Sequence, residues 1–215
     1  MKVIVTCGPS YEPVDQVRRL TNFSTGELGV LLSNRLAQAG CEVFCLRGVA
    51  ATYRGSLEGG QEIPFTTNDD LLGILLQLAK ENEIGAVFHA AALCDFKVKR
   101  VTDERGAALD SPKITSRRPA LTIHLEPASK VIVQLRPLFP QARIVGWKYE
   151  LAGTRDAALG KAWKQIAENK TDACVLNGAA YGPGFAFCSP PDNVQSIPDK
   201  HGLCEFLVDT LLSTR

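Results

Sequence analysis

Long apolar runs are missing from this 215-residue sequence: no stretch approaches the roughly 20 residues that a bilayer span needs. The apolar segment at residues 3–6 is also too short for a signal-peptide core. Charge of one sign does not dominate, because 24 Lys and Arg stand against 23 Asp and Glu, a net charge of +1. That balance argues against a general nucleic-acid coat or a membrane-surface protein. We therefore expect no nucleic acid and no membrane among its partners.

Cysteine and histidine are present, but not at metal-binding spacings. The seven cysteines are odd in number and scattered, and no two form a CxxC pair. This usage is typical of reduced, buried thiols in a cytoplasmic protein. The three histidines lie far apart in the chain. The sequence predicts a cytoplasmic protein without a protein-built metal site.

Apolar segments with strand and helix periods alternate along the chain. The predicted strands are Lys2–Cys7, Cys41–Arg47, Gln61–Phe65, Ala86–Leu93, Leu121–Leu125, Arg143–Tyr149 and Ala173–Leu176. The predicted helices are Glu27–Ala39, Asp69–Lys80 capped by Asn68, Ser129–Leu138, Thr154–Asn169 and Gly202–Ser213. Repeated βα units predict a doubly wound, mostly parallel, Rossmann-like α/β sheet in a single domain, 1–215.

Two polar stretches interrupt this alternation. Residues 94–120 form a flap-like excursion, and residues 178–191 form a loop rich in Gly and Pro. Between residues 97 and 118, three acids face seven basic residues: Lys97, Lys99, Arg100, Arg105, Lys113, Arg117 and Arg118. A basic flap can close over a triphosphate and exclude water. A solvated surface loop would have the same composition, so both interpretations stand.

The first strand-to-helix loop has about twenty residues and lacks the GxGxxG of dinucleotide-binding folds. Loops of that length inside compact domains are usually functional. The loop ends in Ser24, Thr25 and Gly26 at a predicted helix start. Hydroxyls and free backbone N–H groups at a helix N-terminus can bind an anion. The alternative is that Ser24 or Thr25 only caps the helix.

Residues 6–29 read TCGPSYEPVDQVRRLTNFSTGELG, and this string closely resembles the opening motif of the phosphopantothenoylcysteine synthetases. Further segments resemble the same family in order and spacing: 89–96, 112–114, 146–148 and 172–177. The resemblance covers essentially the whole chain. Of the forms in which this enzyme occurs, the chain resembles the free-standing one. It implies a ligase of coenzyme A biosynthesis that joins 4′-phosphopantothenate to L-cysteine through an acyl-nucleotidylate.

The resemblance also implies roles for individual residues. The catalytic residues would be Asn22, Arg18 and Lys113, and Ser24, Thr25 and Gly26 would hold the substrate phosphate. The nucleotide would lie against Gly8, Ala91, Ala92, Asp95, Trp147, Lys148 and Lys164. CTP or ATP with Mg²⁺ would be the co-substrate, no flavin would be needed, and a homodimer would complete the site.

Ordinary structural roles remain open for several of these residues. Asn22 could be a turn residue, Arg18 could pair with Asp15 at the surface, and Lys148 could be a surface lysine. One departure from the family pattern also stands out, because Asn177 is followed by Gly178 instead of the usual aspartate. The region 147–172 is longer than in fused members of the family, so the nucleotide base is not assigned to residues there.

Two other functions compete with the ligase. The strand sequence VFHAAA, residues 87–92, is reminiscent of nicotinamide-dependent reductases of the Rossmann type. Against this interpretation stand the missing GxGxxG and the lack of a Tyr-x-x-x-Lys pair. The other competitor is a nucleotide-binding relative without catalysis, which Gly178 makes conceivable.

Overall fold

The structure, a computed structural model, describes residues 1–115, 117 and 120–213. The predicted flap residue Arg118 lies outside the described residues. Within them the strands are β1 (Lys2–Cys7), β2 (Tyr11–Pro13), β3 (Arg19–Thr21), β4 (Glu42–Gly48), β5 (Gln61–Phe65), β6 (Ile84–His89), β7 (Phe96–Asp103), β8 (Leu121–Pro127), β9 (Arg143–Tyr149), β10 (Ala173–Asn177), β11 (Phe185–Ser189) and β12 (Asn193–Ile197). The helices are α1 (Glu27–Gln38), α2 (Asn68–Glu81), α3 (Val131–Leu138), α4 (Arg155–Asn169) and α5 (Lys200–Leu212).

A central sheet has the strand order β12-β11-β10-β9-β6-β1-β4-β5. Six neighbouring strands of this sheet are parallel: β5, β4, β1, β6, β9 and β10. Strands β11 and β12 add an antiparallel edge next to β10. From β1 the chain builds outward through β4 and β5, then returns to the other side of β1 and builds through β6, β9 and β10. The doubly wound fold is therefore confirmed. Its topological switch point lies between β1 and β6, where such sheets bind ligands.

Helices cover both faces of this sheet because strand side chains alternate. Val3 and Val5 of β1 belong to the apolar cluster that contains residues of α1 and α5. Ile4 points the other way, into the cluster that contains residues of α2 and α3. On that second face α4 packs its buried Ala158, Ala162 and Ile166 over β10 and β11. The core thus fixes the carboxyl ends of β1, β6 and β9 side by side.

Helix α2 starts one residue earlier than the sequence indicates. Its N-cap is Thr67, whose hydroxyl accepts a hydrogen bond from the Asp70 amide at 3.2 Å. Asn68, the predicted cap, is 2% exposed and turns its side chain inward. A threonine cap satisfies the free amide that Asn68 was predicted to satisfy. The Asn68 side chain instead forms hydrogen bonds inside the protein.

The predicted excursion at 94–120 is partly regular structure. Its first part is β7, which pairs with β8 in a separate antiparallel ribbon. The prediction that residues 121–125 resume the main sheet is therefore wrong. A β-bulge between Val98 and Arg100 shifts the register by one residue, so Val98 and Val101 stay on one face although their spacing is three. That spacing hides the strand from a search for strict alternation.

Residues 178–191 also contain more structure than the sequence predicts. Strand β11 lies inside this stretch and pairs antiparallel with β10 and β12. It is only five residues long, and Gly184 and Pro190 flank it closely. From local sequence alone, these flanking residues predict a loop. The strand forms because the buried backbone of β11 pairs with β10.

Candidate active site

The loops that follow β1 and β6 are joined at the switch point. The backbone N–H of Ala92 donates to the carbonyl of Gly8 at 2.9 Å, and the Ser10 N–H donates to the carbonyl of Ala92 at 3.2 Å. Pro9 and Ala92 form a parallel bridge that extends the pairing of the two strands. Gly8 and Ala92, both predicted to contact nucleotide, therefore lie together at the base of the first loop. The hydrogen bond between Gly8 and Ala92 connects the first loop to the segment that follows β6.

Asn22 lies on the same seam. Its Nδ2 donates to the carbonyls of Ala92 and Leu93, at 3.1 and 3.0 Å. The residue is exposed. Asn22 thus ties the first loop to the segment after β6. The interpretation of Asn22 as a simple turn residue does not account for two hydrogen bonds to a segment about seventy residues away.

Ser24, Thr25 and Gly26 stand at the N-terminus of α1, as the sequence indicates. Gly26 is the N-cap with φ of +80°, a conformation that favours glycine. No side chain caps the helix, and the Thr25 hydroxyl only reaches the Glu27 amide at 3.3 Å. The Glu27 amide is thus engaged, but the N-cap residue Gly26 has no side chain to cap the amides that follow, so this end of α1 keeps a capacity to bind an anion. Capping alone does not explain these hydroxyl residues.

Arg18 is engaged with Asp15 and with the segment that carries Lys113. The Arg18 Nη2 lies 2.5 Å from Asp15 Oδ2 and donates to the carbonyl of Ile114 at 2.6 Å. Asp15 also accepts from the Ile114 N–H at 3.1 Å. The hydrogen bond from Arg18, helped by the backbone N–H groups, holds the pKa of Asp15 well below its usual range. The arginine thus fixes residues 112–114 against the first loop.

Lys113 is exposed and lies beside this anchored backbone. The next residue, Ile114, is 2% exposed and serves as the buried anchor of the segment. The Gln16 N–H donates to the carbonyl of Pro112 at 3.0 Å. Part of the predicted flap is therefore held close to the first loop. Neither Lys113 nor Arg18 lines the cleft described next.

A cleft of about 590 Å³ opens beyond the carboxyl ends of β6 and β9. Five residues predicted from the sequence line it: Ala91, Asp95, Trp147, Lys148 and Lys164. The Trp147 side chain, however, packs against the apolar cluster on the other face of the sheet. We conclude that the backbone of Trp147, with the side chains of its neighbours, shapes the cleft.

Lysines give the cleft its electrostatic character. Four of them line it, against the two acids Asp95 and Glu168: Lys130, Lys148, Lys161 and Lys164. Glu168 pairs with Lys164 at 3.7 Å on the exposed surface of α4. Lys130 and Lys161 were not predicted from the sequence. Lys161 carries one usable signal, because it lies one helical turn before Lys164 and shares its face.

Asn68 forms a buried hub beside the cleft. Its Oδ1 accepts from the Ser10 hydroxyl at 2.8 Å, and its Nδ2 donates to the carbonyls of Cys94 and Ser129 at 2.8 and 3.1 Å. The Cys94 N–H completes the ring by donating to the Ser10 hydroxyl at 2.8 Å. Cys94 precedes β7 and Ser129 follows β8, so this network fixes both ends of the ribbon to the first loop.

His89, which also lines the cleft, is a buried neutral imidazole. Its Nδ1 lies 2.8 Å from the Thr6 hydroxyl, which in turn accepts from the Ala91 N–H at 3.3 Å. Burial lowers the pKa of His89 to about 4. A histidine with this pKa carries no charge near neutral pH. His89 therefore supports the backbone at Ala91 and adds no positive charge to the cleft.

Gly178 takes a conformation that suits glycine alone. Its φ is +115°, and a Cβ there would lie 2.3 Å from the carbonyl oxygen of Glu150. Glu150 is held at that point by its N–H, which donates to the carbonyl of Asn177 at 2.9 Å. An aspartate at 178 would force the ends of β9 and β10 apart. The departure from the family pattern therefore has a local packing reason.

The described residues form neither a metal-binding cluster of side chains nor a helix that could cross a membrane. Within residues 1–115, 117 and 120–213, no three His, Cys, Asp or Glu side chains gather into a set that could hold a metal ion. Among the same residues, no helix combines the length and apolar character that crossing a bilayer requires. The seven cysteines are all free thiols, and only Cys94 is partly accessible.

Comparison with known proteins places this chain in a family. The family model of the DNA/pantothenate metabolism flavoprotein C-terminal domain matches residues 1–204. The chain is 31% identical over 176 residues to the coenzyme A biosynthesis bifunctional protein CoaBC of Thermococcus kodakarensis, covering 82% of this chain and 41% of that protein. Across three curated relatives the chain spans 41% to 54% of their length. The resemblance seen in the opening motif is confirmed.

Solved structures share the fold. The DNA/pantothenate metabolism flavoprotein from Streptococcus pneumoniae superimposes with a TM-score of 0.88 at 22% identity, over 100% of both chains. A Cab2 variant in complex with phosphopantothenate-cysteine superimposes with a TM-score of 0.72 at 18% identity, over 99% of this chain and 85% of the other. At these identities the structures establish the architecture alone.

Proposed function

Since this chain belongs to the family of the DNA/pantothenate metabolism flavoprotein C-terminal domain, we propose that it is a phosphopantothenate–cysteine ligase of coenzyme A biosynthesis. One observation carries the proposal. Asn22, a few residues before the N-terminus of α1, donates to the carbonyl of Leu93, a residue that lines the lysine-lined cleft, so the two candidate sites adjoin at the switch point of the sheet. An anion site and a polyphosphate site that share one wall suit a reaction between a phosphorylated acid and a nucleotide.

In the first half-reaction the carboxylate of 4′-phosphopantothenate attacks the nucleoside triphosphate and releases pyrophosphate. Ser24, Thr25 and Gly26 would hold the substrate phosphate at the start of α1. Negative charge grows on the phosphate under attack, so cations already in place lower the barrier. We assign that task to Lys148 and Lys164 in the cleft. Lys113 would reach the reacting phosphate from its anchored segment.

In the second half-reaction the cysteine amine attacks the acyl-nucleotidylate, and the nucleoside monophosphate leaves. Asn22 lies where the acyl group and the nucleotide would meet. Its amide would give one N–H to a ligand oxygen in place of the Ala92 or Leu93 carbonyl. Arg18 would act through the 112–114 segment, because its guanidinium is engaged by Asp15 and the Ile114 carbonyl.

The co-substrate would be CTP or ATP, accompanied by Mg²⁺. Mg²⁺ in nucleotide sites is usually held by one or two carboxylates together with phosphate oxygens. Asp95 offers one such carboxylate at the edge of the cleft. The donor set therefore fits a metal ion that arrives with the triphosphate. The nucleotide would lie along Ala91 and the backbone of Trp147, where small or backbone groups allow close approach.

We propose a cytoplasmic homodimer. The seven free thiols suit a reducing compartment. The β7–β8 ribbon carries apolar residues on one face, and several are exposed: Phe96 54%, Leu121 37% and Leu125 46%. A two-stranded ribbon is marginally stable by itself. The same face of a second copy would cover these residues and bring the partner's ribbon close to the site.

The test of the ligase is product formation. Purified protein is incubated with 4′-phosphopantothenate, L-cysteine, Mg²⁺ and either CTP or ATP, and products are identified by mass spectrometry. We expect phosphopantothenoylcysteine and nucleoside monophosphate in equal amounts. Nucleotide binding without product would favour the non-catalytic relative. Tight NADPH binding without product would favour the oxidoreductase.

A further inference from the structure

A single carboxylate bridges two of the lysines in the cleft. Glu150 Oε1 lies 3.4 Å from the Nζ of Lys148, and its Oε2 lies 2.5 Å from the Nζ of Lys161. Both lysines line the cleft, whereas Glu150 does not line it and its side chain is 12% exposed. The two ammonium groups are therefore drawn toward one carboxylate.

The backbone holds Glu150 firmly in this place. Its N–H donates to the carbonyl of Asn177 at 2.9 Å, and its carbonyl accepts from the Ala180 N–H at 3.0 Å. Gly178 makes this approach possible, since any larger residue would collide with the Glu150 backbone. The carboxylate thus has a fixed origin, while the lysines that it holds have long, flexible side chains.

Glu150 is charged in this setting. Burial raises the pKa of its carboxyl, but the hydrogen bonds from Lys161 and Lys148 outweigh burial and leave the pKa below its usual value. A charged glutamate between two lysines cancels part of the positive potential that a polyphosphate would meet. It also occupies lysine N–H groups that phosphate oxygens would otherwise receive.

We propose that Glu150 is a positioning residue that competes with phosphate for Lys148 and Lys161 and so limits the affinity of the cleft for triphosphate and pyrophosphate. This inference rests on the proposed function in one respect, that the cleft takes the phosphates of the nucleotide. Glu150 keeps the lysines ordered in the empty cleft. As pyrophosphate departs, the carboxylate takes the two ammonium groups back, which speeds its release.

Binding of inorganic pyrophosphate, measured by calorimetry at low salt, tests this role. Glu150→Gln keeps the shape of the side chain but removes the charge, so we expect pyrophosphate to bind about 3- to 10-fold more tightly. The gain should shrink in 0.5 M salt. Glu126→Gln is the matched control, because Glu126 also lies near two lysines, Lys97 and Lys99, on the ribbon. It should leave the affinity unchanged.

Loss of a merely structural glutamate would weaken binding or leave it unchanged, and either result would overturn the proposal. Glu150→Asp guards against misfolding of the first variant, since it keeps the charge but shortens the bridge. We expect it to bind pyrophosphate with an affinity between wild type and Glu150→Gln. An affinity at or below that of wild type in both variants would contradict the role of Glu150.

The outcome is separable from that of the ligase proposal. If Glu150→Gln tightens pyrophosphate binding while the wild-type protein makes no phosphopantothenoylcysteine, the ligase fails and the role of Glu150 stands. If the wild type makes the product and the variant shows no gain, the reverse holds. In an active enzyme the variant should also show a lower KM for nucleotide and stronger inhibition by pyrophosphate, with the KM for cysteine unchanged.

Discussion

Asn22 is the residue whose replacement should separate activity from folding. In Asn22→Asp a carboxylate oxygen would replace the amide that donates to the Ala92 and Leu93 carbonyls. It would repel those carbonyls and the oxygens of the acyl-nucleotidylate. Loss of one such donor typically lowers the rate about 10²- to 10³-fold. We expect this loss in steady-state turnover, with the thermal melting temperature lowered by only a few degrees because Asn22 is exposed.

Asn34→Asp is the matched control for Asn22. Its amide also donates to a backbone carbonyl, that of Ser56 at 3.1 Å, but on α1 away from the seam. The control should keep wild-type turnover. Equal turnover in both variants would remove Asn22 from the site.

His89 should make the stability of the protein fall in mild acid. The unfolded chain binds a proton at His89 with a pKa of 6.5, while the folded protein does so only at about 4. Stability contributed by the neutral form is therefore present above pH 6.5 and declines as the pH falls toward 4. The loss at pH 5 amounts to about 2 kcal/mol. Urea unfolding at pH 7 and pH 5 measures it.

Two variants isolate the contribution of His89 from that of other titrating groups. His89→Gln should show a smaller difference in unfolding free energy between pH 7 and pH 5 than the wild type. His201→Gln, at an exposed position of α5, should match the wild type. The same pH dependence in all three proteins would mean that His89 is not buried as a neutral ring.

At the scale of residues, the sequence predicts the cleft residues that lie at strand ends better than those that the helices supply. Asp95 and Lys148 follow or end buried strands, and the topology of a parallel sheet brings such ends together. Lys130 is the N-cap of α3 and Lys161 lies on α4, and only the packing of these helices against the sheet decides which of their residues meet the cleft. The inward turn of Asn68 is equally hidden, because local sequence shows an asparagine before a helix and a cap explains it.

At the scale of elements, the Asp15–Arg18 pair should protect one peptide bond. Ile114 is buried and its N–H is bound to Asp15, so the bond after Lys113 should resist trypsin. Asp15→Asn removes the charge that holds both Arg18 and the Ile114 N–H. We expect faster cleavage after Lys113, followed by mass spectrometry over time.

The bond after Arg105 provides an internal control for this experiment. Arg105 lies in the exposed turn that follows β7, where its N–H donates to Asp103 Oδ1 at 2.9 Å and not to Asp15. Its rate of cleavage should be equal in wild type and Asp15→Asn. An unchanged rate after Lys113 would show that residues 112–114 are not held by this pair.

The predicted and observed elements agree best where burial dictates the pattern, although the buried strand β6 spans Ile84–His89 and not the predicted Ala86–Leu93. Strands β1 and β9 have the predicted bounds, because they lie in the middle of the parallel sheet, where buried strands are largely apolar. Strand β5 also has the predicted bounds, although it is the edge strand and mostly exposed. The ribbon escapes prediction since one face is exposed and the bulge breaks its period of two. The short hairpin of β2 and β3 is too brief to leave any period in the sequence.

At the scale of the whole molecule, the ribbon should determine the oligomeric state. Leu125→Lys places a charge on its apolar face, where a second copy would pack, and burying an unpaired charge is costly. We expect the wild type to be a dimer by light scattering at about 10 µM and this variant to shift toward monomer.

Leu76→Lys is the control for the ribbon. Leu76 is 42% exposed on α2, against 46% for Leu125 on the ribbon, so the change in surface chemistry is comparable. This variant should remain a dimer. A fully active wild-type monomer would contradict the proposed partner arrangement.

The most direct measurement is pyrophosphate release with cysteine omitted. If the protein activates phosphopantothenate as an acyl-nucleotidylate, either CTP or ATP should give a burst of about one pyrophosphate per active site. This burst should require 4′-phosphopantothenate. Lys113→Gln should slow that burst more than Lys99→Gln, since Lys99 lies on the ribbon and pairs with Glu126. Release that does not depend on phosphopantothenate, or no release with either CTP or ATP while the complete mixture forms product, would contradict the account.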